Sequence, residues 1–408
     1  MSSAPTPFTP DETWLAGERT RLWTFARGAV HPNGGFAWLD DRGEPELDQP
    51  VHTWLSCRMT HVAALEVLQG NDDARAALDH GVHALREVLR DPEHGGWFGS
   101  VDPTTHEPVV ATKECYAHAF VLLAASSAVA AGHPGAQGLL DDAREVYATR
   151  FWNDADGLAM ESWDRAWRTA EDYRGVNANM HSVEALLAVH EVTGDPEPRA
   201  QAARIVERVV HGFASGNDWR LPEHFTADWL PLPDFNRDTP ADQFRPFGVT
   251  IGHLLEWSRL TLHLRTALGA AAPSWLLDDA MSLFDTAVRD GWHADGEDGF
   301  VYTTDFQGVP VVRNRLHWVL TEGIGAAWAL AREVDEPSYA EWYAVWWAEA
   351  ERHFIDRVDG SWRHELDPSN QPAATVWVGK PDVYHAYQAA LLPSLEPAAS
   401  FAGGLLHR

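Results

Sequence analysis

GGFAWLD (residues 34–40), GGWFGSV (95–101), DGLAMES (156–162), NDWRLPE (217–223), DGFVYTT (298–304) and DGSWRHE (359–365) are versions of one short segment. Their second residues are Gly35, Gly96, Gly157, Asp218, Gly299 and Gly360, so the spacing is 61 residues except for the fourth gap, which is 81. A fixed period of this length marks a repeated supersecondary unit that buries its apolar face only by stacking on its neighbours. The 20-residue excess is assigned to the Pro- and Asp-rich stretch TADWLPLPDFNRDTPADQF (226–244).

Between the turns, each unit carries two Ala- and Leu-rich stretches with apolar residues at three- and four-residue spacing. In the first unit, 52–69 and 72–90 are separated only by a turn around GND, which forces two antiparallel helices. The pair recurs as 113–131 with 136–151, 177–193 with 197–213, 245–268 with 274–290, and 313–333 with 338–354; the last helix, 381–392, pairs with the N-terminal 11–29. The first member of each pair is the more apolar and belongs to an inner ring. The expected fold is all-α, an (α/α)6 barrel of six helical hairpins and about twelve helices, with an open α-solenoid as the competing architecture. The expected organisation is a disordered N-terminus (1–10), a single catalytic domain (11–395) and a C-terminal tail (396–408).

Composition narrows the function. A formal charge of −29 leaves no basic surface for nucleic acid or anionic membranes. The apolar run AFVLLAASSAVAAG (119–132) is short and Ser-containing for a membrane span, and MSSAPTPFTP lacks the pattern of a secretory signal. A soluble, cytoplasmic protein with a small neutral substrate is expected, as monomer or homodimer. Cys57 and Cys115 read as two reduced thiols. The 20 Trp exceed ordinary core needs; most are expected in the core, an interface or a sugar platform stays open for the rest, and Trp342 and Trp346 are expected exposed on the outer helices, at an interface or in packing.

Because the short links lie at one end of the barrel, the long Gly-containing links and the starts of the inner helices gather at the other. Trp54, Arg58 and His61 share a face of the first inner helix; Glu114, Tyr116 and His118 start the second; Asn177, His181 and Glu184 the third; His253 and Glu256 the fourth. His317, Trp318 and Glu322 follow on the fifth, and Asp382, His385 and Gln388 on the sixth. Buried polar groups must satisfy one another or a ligand. His118 and His317, as lone histidines, are expected to be core residues, whereas His181, His253 and His385 each begin an inner helix with a polar neighbour one turn on. The His-x-x-Glu pairs could ligate a metal, but Arg58, Asn177, Trp54 and Tyr116 suit sugar hydroxyls better, so no metal and no other cofactor is expected. Three histidines point to proton transfer at carbon rather than to the paired carboxyls of an inverting glycosidase. A non-catalytic sugar-binding barrel is a further alternative.

The segments VHTWLSCRMTH, KECYAHAF, GVNANMHSVEALLA, FRPFGVTIGHLLEWSRL, LHWVLTEGIGAAW and KPDVYHAYQA are spread one per unit. Together they resemble the N-acylglucosamine 2-epimerase superfamily, and YHAYQ resembles its aldose–ketose isomerase branch. The resemblance implies ring opening and a cis-enediol intermediate in the interconversion of D-mannose and D-fructose, with D-lyxose and D-xylulose a further pair; 2-epimerisation and a sulfonated sugar stay open. It implies His385 as the base shuttling the proton between C2 and C1, His253 in ring opening, and His181 on the reacting oxygens. It places Arg58 on O1 or O2, and Glu256 and Glu322 as orienting carboxylates. Trp54, Tyr116, Asn177 and Trp318 would shape the pocket. Asp382 and Gln388 either orient His385 or, for Asp382, start the last helix; Lys380 stays open between mouth and solvent. Arg58, Arg245 and Arg315 are the cations available to an anionic sugar.

Overall fold

The computed structural model describes residues 7–407. Its helical hairpins are built from α1 (Glu12–Ala26), α2 (Thr53–Leu68), α3 (Arg75–His83), α4 (Cys115–Ala130), α5 (Ala136–Val146), α6 (Val176–Thr193), α7 (Pro196–Val206), α8 (Ile251–Leu268), α9 (Trp275–Gly291), α10 (His317–Glu333), α11 (Pro337–Glu349) and α12 (Tyr384–Leu391). The even-numbered helices form the inner ring and the odd-numbered ones the outer. Packing of α2 on α4, α4 on α6, α6 on α8, α8 on α10, α10 on α12 and α12 back on α2 closes the ring, which confirms the (α/α)6 barrel and excludes the open solenoid. The inner helices are covered on all sides, so α4 buries even Ser126 and Ser127. Among the described residues no helix is long and apolar enough to cross a membrane.

The repeated segment has a backbone reason. Gly35, Gly96, Gly157, Gly299 and Gly360 all have φ between 67° and 105°, and Asp218, the one exception in residue type, sits at φ 52°. Asp tolerates the left-handed region better than most residues with a side chain. Each turn after the first feeds a short strand that pairs with the strand leading into the preceding inner helix: Val51–His52 with Ser100–Val101, Lys113–Glu114 with Ser162–Trp163, Arg174–Gly175 with His224–Phe225, Val249–Thr250 with Thr303–Thr304, and Arg315–Leu316 with Glu365–Leu366. The Lys380 N–H donates to Leu39 O (2.9 Å) and Trp38 Nε1 to Val378 O (3.0 Å), which ties the last unit to the first. The mouth is therefore a stitched rim.

The chain ends differ from expectation. Of the segment 1–10, residues 1–6 lie outside the described residues, but the Phe8 N–H donates to Ala344 O (3.1 Å) and its ring meets Trp14 edge-on. The expected tail holds a further helix, α13 (Phe401–Leu406), buried across the far ends of α2, α4 and α6. Trp346 is fully buried against Phe284, Trp292 and Phe300, and not on the outer surface.

Candidate active site

Two connected chambers fill the mouth. The outer, a cavity of about 690 Å3, is walled by Trp38, Trp54, Glu114, Glu161, Tyr173 and Arg245 among others. The inner lies deeper, between the first and second turns of the inner helices, and Tyr116, Asn177, Gln243 and Phe244 border both. Gln243 and Phe244 belong to the insertion. Its end folds over the mouth, and the Phe244 ring meets Trp54, Tyr116 and Trp377 edge-on.

Arg58, Tyr116, Asn177, His181, His253, Glu256, Trp318, Asp382 and His385, all singled out from the sequence, line the inner chamber together. Trp54 lines the outer one. Glu322 and Gln388 stand behind the wall. Glu322 Oε1 lies 2.9 Å from His385 Nδ1, and its Oε2 accepts from Arg259 Nε at 2.8 Å. Gln388 does not touch His385; its Nε2 donates to Glu184 Oε1 (3.1 Å). Asp382 starts the helix, its Oδ1 accepting the Tyr384 N–H (2.9 Å), and its Oδ2 pairs with Arg58 Nη1 (3.2 Å).

Each of the three histidines is held through Nδ1. His385 faces Glu322, His253 faces Glu223 Oε1 at 3.0 Å, and His181 faces Glu184 Oε2 at 3.4 Å. Glu256, expected to serve an orienting role, stands 3.8 Å from His181 Nδ1 and 3.7 Å from Arg259 Nη2, while the partner of His253 is Glu223. Trp318 separates two of these histidines, its ring centroid 5.3 Å from that of His253 and 5.9 Å from that of His385. Burial, and then the positive charge of Arg58, push His385 well below the ordinary imidazole pKa, so its ring is a neutral base at neutral pH. Burial lowers His181 as well. Burial, then repulsion from Glu322, raises Glu256 well above the usual carboxyl range and keeps it protonated. Arg58 donates to Tyr116 (3.0 Å) and lies within 5.0 Å of the ring centroids of Trp54, Phe120 and Tyr384, a cationic plane fixed at the chamber wall.

His181, Glu184 and Glu256 are the one group among the described residues whose ligand atoms, all within 4.8 Å, could hold a metal. The donor set fits poorly. Both Glu184 oxygens share the Tyr384 O–H (2.5 Å), and Glu256 Oε1 already has a cation beside it, Arg259 Nη2 at 3.7 Å.

Other expectations need correction. Lys380 reaches neither mouth nor solvent; its Nζ is buried against Asp356 Oδ2 (2.8 Å) and Gly360 O (2.9 Å). Arg315 is buried against Asp295, away from both chambers. Arg245 does line the outer chamber, with Glu171 and Glu161 beside it. His118 is a core residue, its Nε2 accepting the Trp97 N–H at 3.1 Å. His317, expected to be the same, lines the inner chamber instead. Glu223, His364, Tyr302 and Trp377 were not anticipated. Glu223 and His364 occupy the last and the last-but-one positions of the repeated segment, each directly before a short strand of the rim; polar residues at that register were the available signal.

A closed double ring of helices with neutral imidazole, carboxylates and a fixed guanidinium at one mouth defines an (α/α)6-barrel enzyme of the sugar-isomerising class. The chain belongs to the N-acylglucosamine 2-epimerase family, whose profile matches residues 34–389. It is 53% identical over 393 residues to a D-mannose isomerase of Thermobifida fusca, covering 96% of each chain. It is 49% identical to a D-mannose isomerase of Pseudomonas cannabina pv. alisalensis, covering 96% of this chain and 94% of the other. A crystal structure of a D-mannose isomerase superposes with a TM-score of 0.88 at 28% identity, covering 94% of this chain and 98% of that one.

Proposed function

We propose that this chain is an aldose–ketose isomerase that interconverts D-mannose and D-fructose without a metal or other cofactor. The observation that carries the reading is His385, whose Nδ1 faces the Arg259-paired Glu322 and whose Nε2 is left to the chamber as a neutral base. The activity named for the relatives supports the substrate. The compartment proposed is the cytoplasm.

His253, held by Glu223 on the other side of Trp318, assists ring opening by moving a proton between O1 and the ring oxygen. His385 Nε2 then takes the C2 proton. The C2–H electrons form the C1–C2 double bond, and charge moves onto O1, where Arg58 holds it, while the Nε2 lone pair of His181, whose Nδ1 faces Glu184, accepts from the O2 hydroxyl. The O2 proton passes to O1, His385 returns its proton to C1, and C2 becomes the ketone carbonyl. Glu322 bears the imidazolium in between, and Arg259 keeps that carboxylate paired. Atoms and electrons balance with no external oxidant. Two bases flanking Trp318 also allow return of the proton to the other face of C2, which is 2-epimerisation.

One experiment separates these outcomes. EDTA-treated protein is incubated with D-mannose in D2O and the products are followed by NMR. Fructose deuterated at C1 is expected, with His385→Ala inert. Glucose deuterated at C2 as the main product replaces the isomerase by an epimerase, and absence of both product and exchange overturns proton transfer on this sugar.

A further inference from the structure

His317 opens α10 at the wall of the inner chamber, and the proton transfers above make no use of it. Its backbone N–H donates to His364 O at 3.1 Å, its Nδ1 lies 3.4 Å from the same oxygen, and its ring stacks on His364 with centroids 3.9 Å apart. A carbonyl oxygen only accepts, so Nδ1 carries the proton and Nε2 presents a lone pair. That Nε2 is buried and has no hydrogen-bond partner in the protein. The residue as a whole is 4% exposed. Buried acceptors are nearly always satisfied, and one at a chamber wall is satisfied by what enters the chamber.

The partner must donate. Burial, then the neighbouring His364 and His385 rings, hold His317 far below the ordinary imidazole pKa, so it stays neutral and offers no second N–H. A cation is disfavoured by Arg58 on the same wall. A carboxylate, sulfonate or ketone oxygen has no hydrogen to give. A hydroxyl does. The His317 and His385 ring centroids are 6.3 Å apart, so one small molecule can touch both imidazoles. His385 and Arg58 serve the reacting carbons, which leaves His317 for a hydroxyl further along the sugar.

We propose that His317 Nε2 accepts a hydrogen bond from a hydroxyl of the bound sugar remote from C1 and C2, which makes His317 a specificity-determining residue. The proposal rests on the sugar-site reading and deepens it. A site built to pair one hydroxyl rejects an analogue that lacks it, because the acceptor is left bare.

The test reads affinity, by calorimetry, and so does not depend on turnover. D-Mannose and its 3-, 4- and 6-deoxy derivatives are titrated into the wild-type chain, His317→Leu and His317→Gln, whose amide oxygen reaches the position of Nε2. One deoxy sugar is expected to bind wild type about tenfold more weakly than D-mannose does. That penalty should vanish in His317→Leu and return in His317→Gln. If His317→Leu does not fold, His317→Asn, whose amide stops at the Nδ1 position, takes its place. Penalties that persist unchanged in the variant, affinity lost uniformly across the panel, or no penalty in wild type each overturn the role of His317. Binding of the panel with no turnover of D-mannose sinks the isomerase reading and leaves the comparison intact; no binding of D-mannose overturns both.

Discussion

Glu322 shows how much one carboxylate can decide. One oxygen faces His385 Nδ1 and the other accepts from Arg259, and all three side chains are nearly inaccessible to solvent. Glu322→Gln keeps the shape but sets an amide N–H against either the imidazole N–H or the guanidinium, and it strips the charge that balances an imidazolium. A loss of kcat by about 10²- to 10⁴-fold, with KM little changed, is expected from steady-state kinetics. Wild-type activity should hold below pH 6.5, because His385 is depressed by burial and Arg58; without the anion the imidazolium is harder to form, so the acid limb should move to still lower pH. An unchanged kcat would remove Glu322 from the proton-transfer unit. The residues legible in the sequence were those whose partners share a helix, as His181 and Glu184 do on α6 by i,i+3 spacing. Glu223, His364 and the Glu322–His385 pair were not legible as partnerships, because the two members sit 30, 18 and 63 positions apart and only the packing of neighbouring segments brings them together.

At the scale of elements, the hairpins were legible because periodic apolar faces repeat at a fixed interval, whereas the rim strands were not, since two residues carry no alternation. The insertion was legible only as added length, because Pro- and Asp-rich composition says nothing about what it covers. FAGGLLHR falls in the expected tail, yet a Cβ at Gly403 would come within 1.9 Å of the Glu191 carboxylate, so the glycine is what lets α13 dock. The same close approach occurs where it matters for chemistry. A Cβ at Gly252 on α8 would come within 2.2 Å of the Trp318 ring on α10. Gly252→Ala must therefore push Trp318 from between His253 and His385, with little cost to a helix that gains propensity. The expected outcome is a variant with a native circular dichroism spectrum, altered Trp fluorescence and kcat/KM lowered about tenfold or more. Full activity would show that Trp318 does not set the spacing of the two bases.

For the whole molecule, the barrel carries a set of neutral histidines whose effect on stability opposes that of its net charge. Burial is the main cause in each case: it depresses His118 and His364 to about 3 and His61 and His263 to about 4, and it pushes His317 and His385 well down. Near pH 5.5 the unfolded chain has protonated all six while the folded chain has not. In the other direction, burial raises Glu161 and Glu349 to about 7 and Glu256 well above its usual range, so the folded chain keeps three protons that the unfolded chain has released. Six against three leaves the unfolded state binding more protons, and stability must fall as pH drops from 6.5 toward 4. The slope is roughly 1.4 kcal/mol per pH unit for each net proton. The net charge of −29 argues the opposite, since repulsion relaxes as the chain approaches its pI of about 5.0, where stability would then peak. Urea unfolding from pH 8 to 4.5 distinguishes the two. High salt screens the long-range repulsion but not the desolvation of buried rings. A loss of stability below pH 6.5 that survives high salt is expected; a maximum near pH 5 would mean that surface repulsion, and not the buried imidazoles, governs the acid response of the barrel.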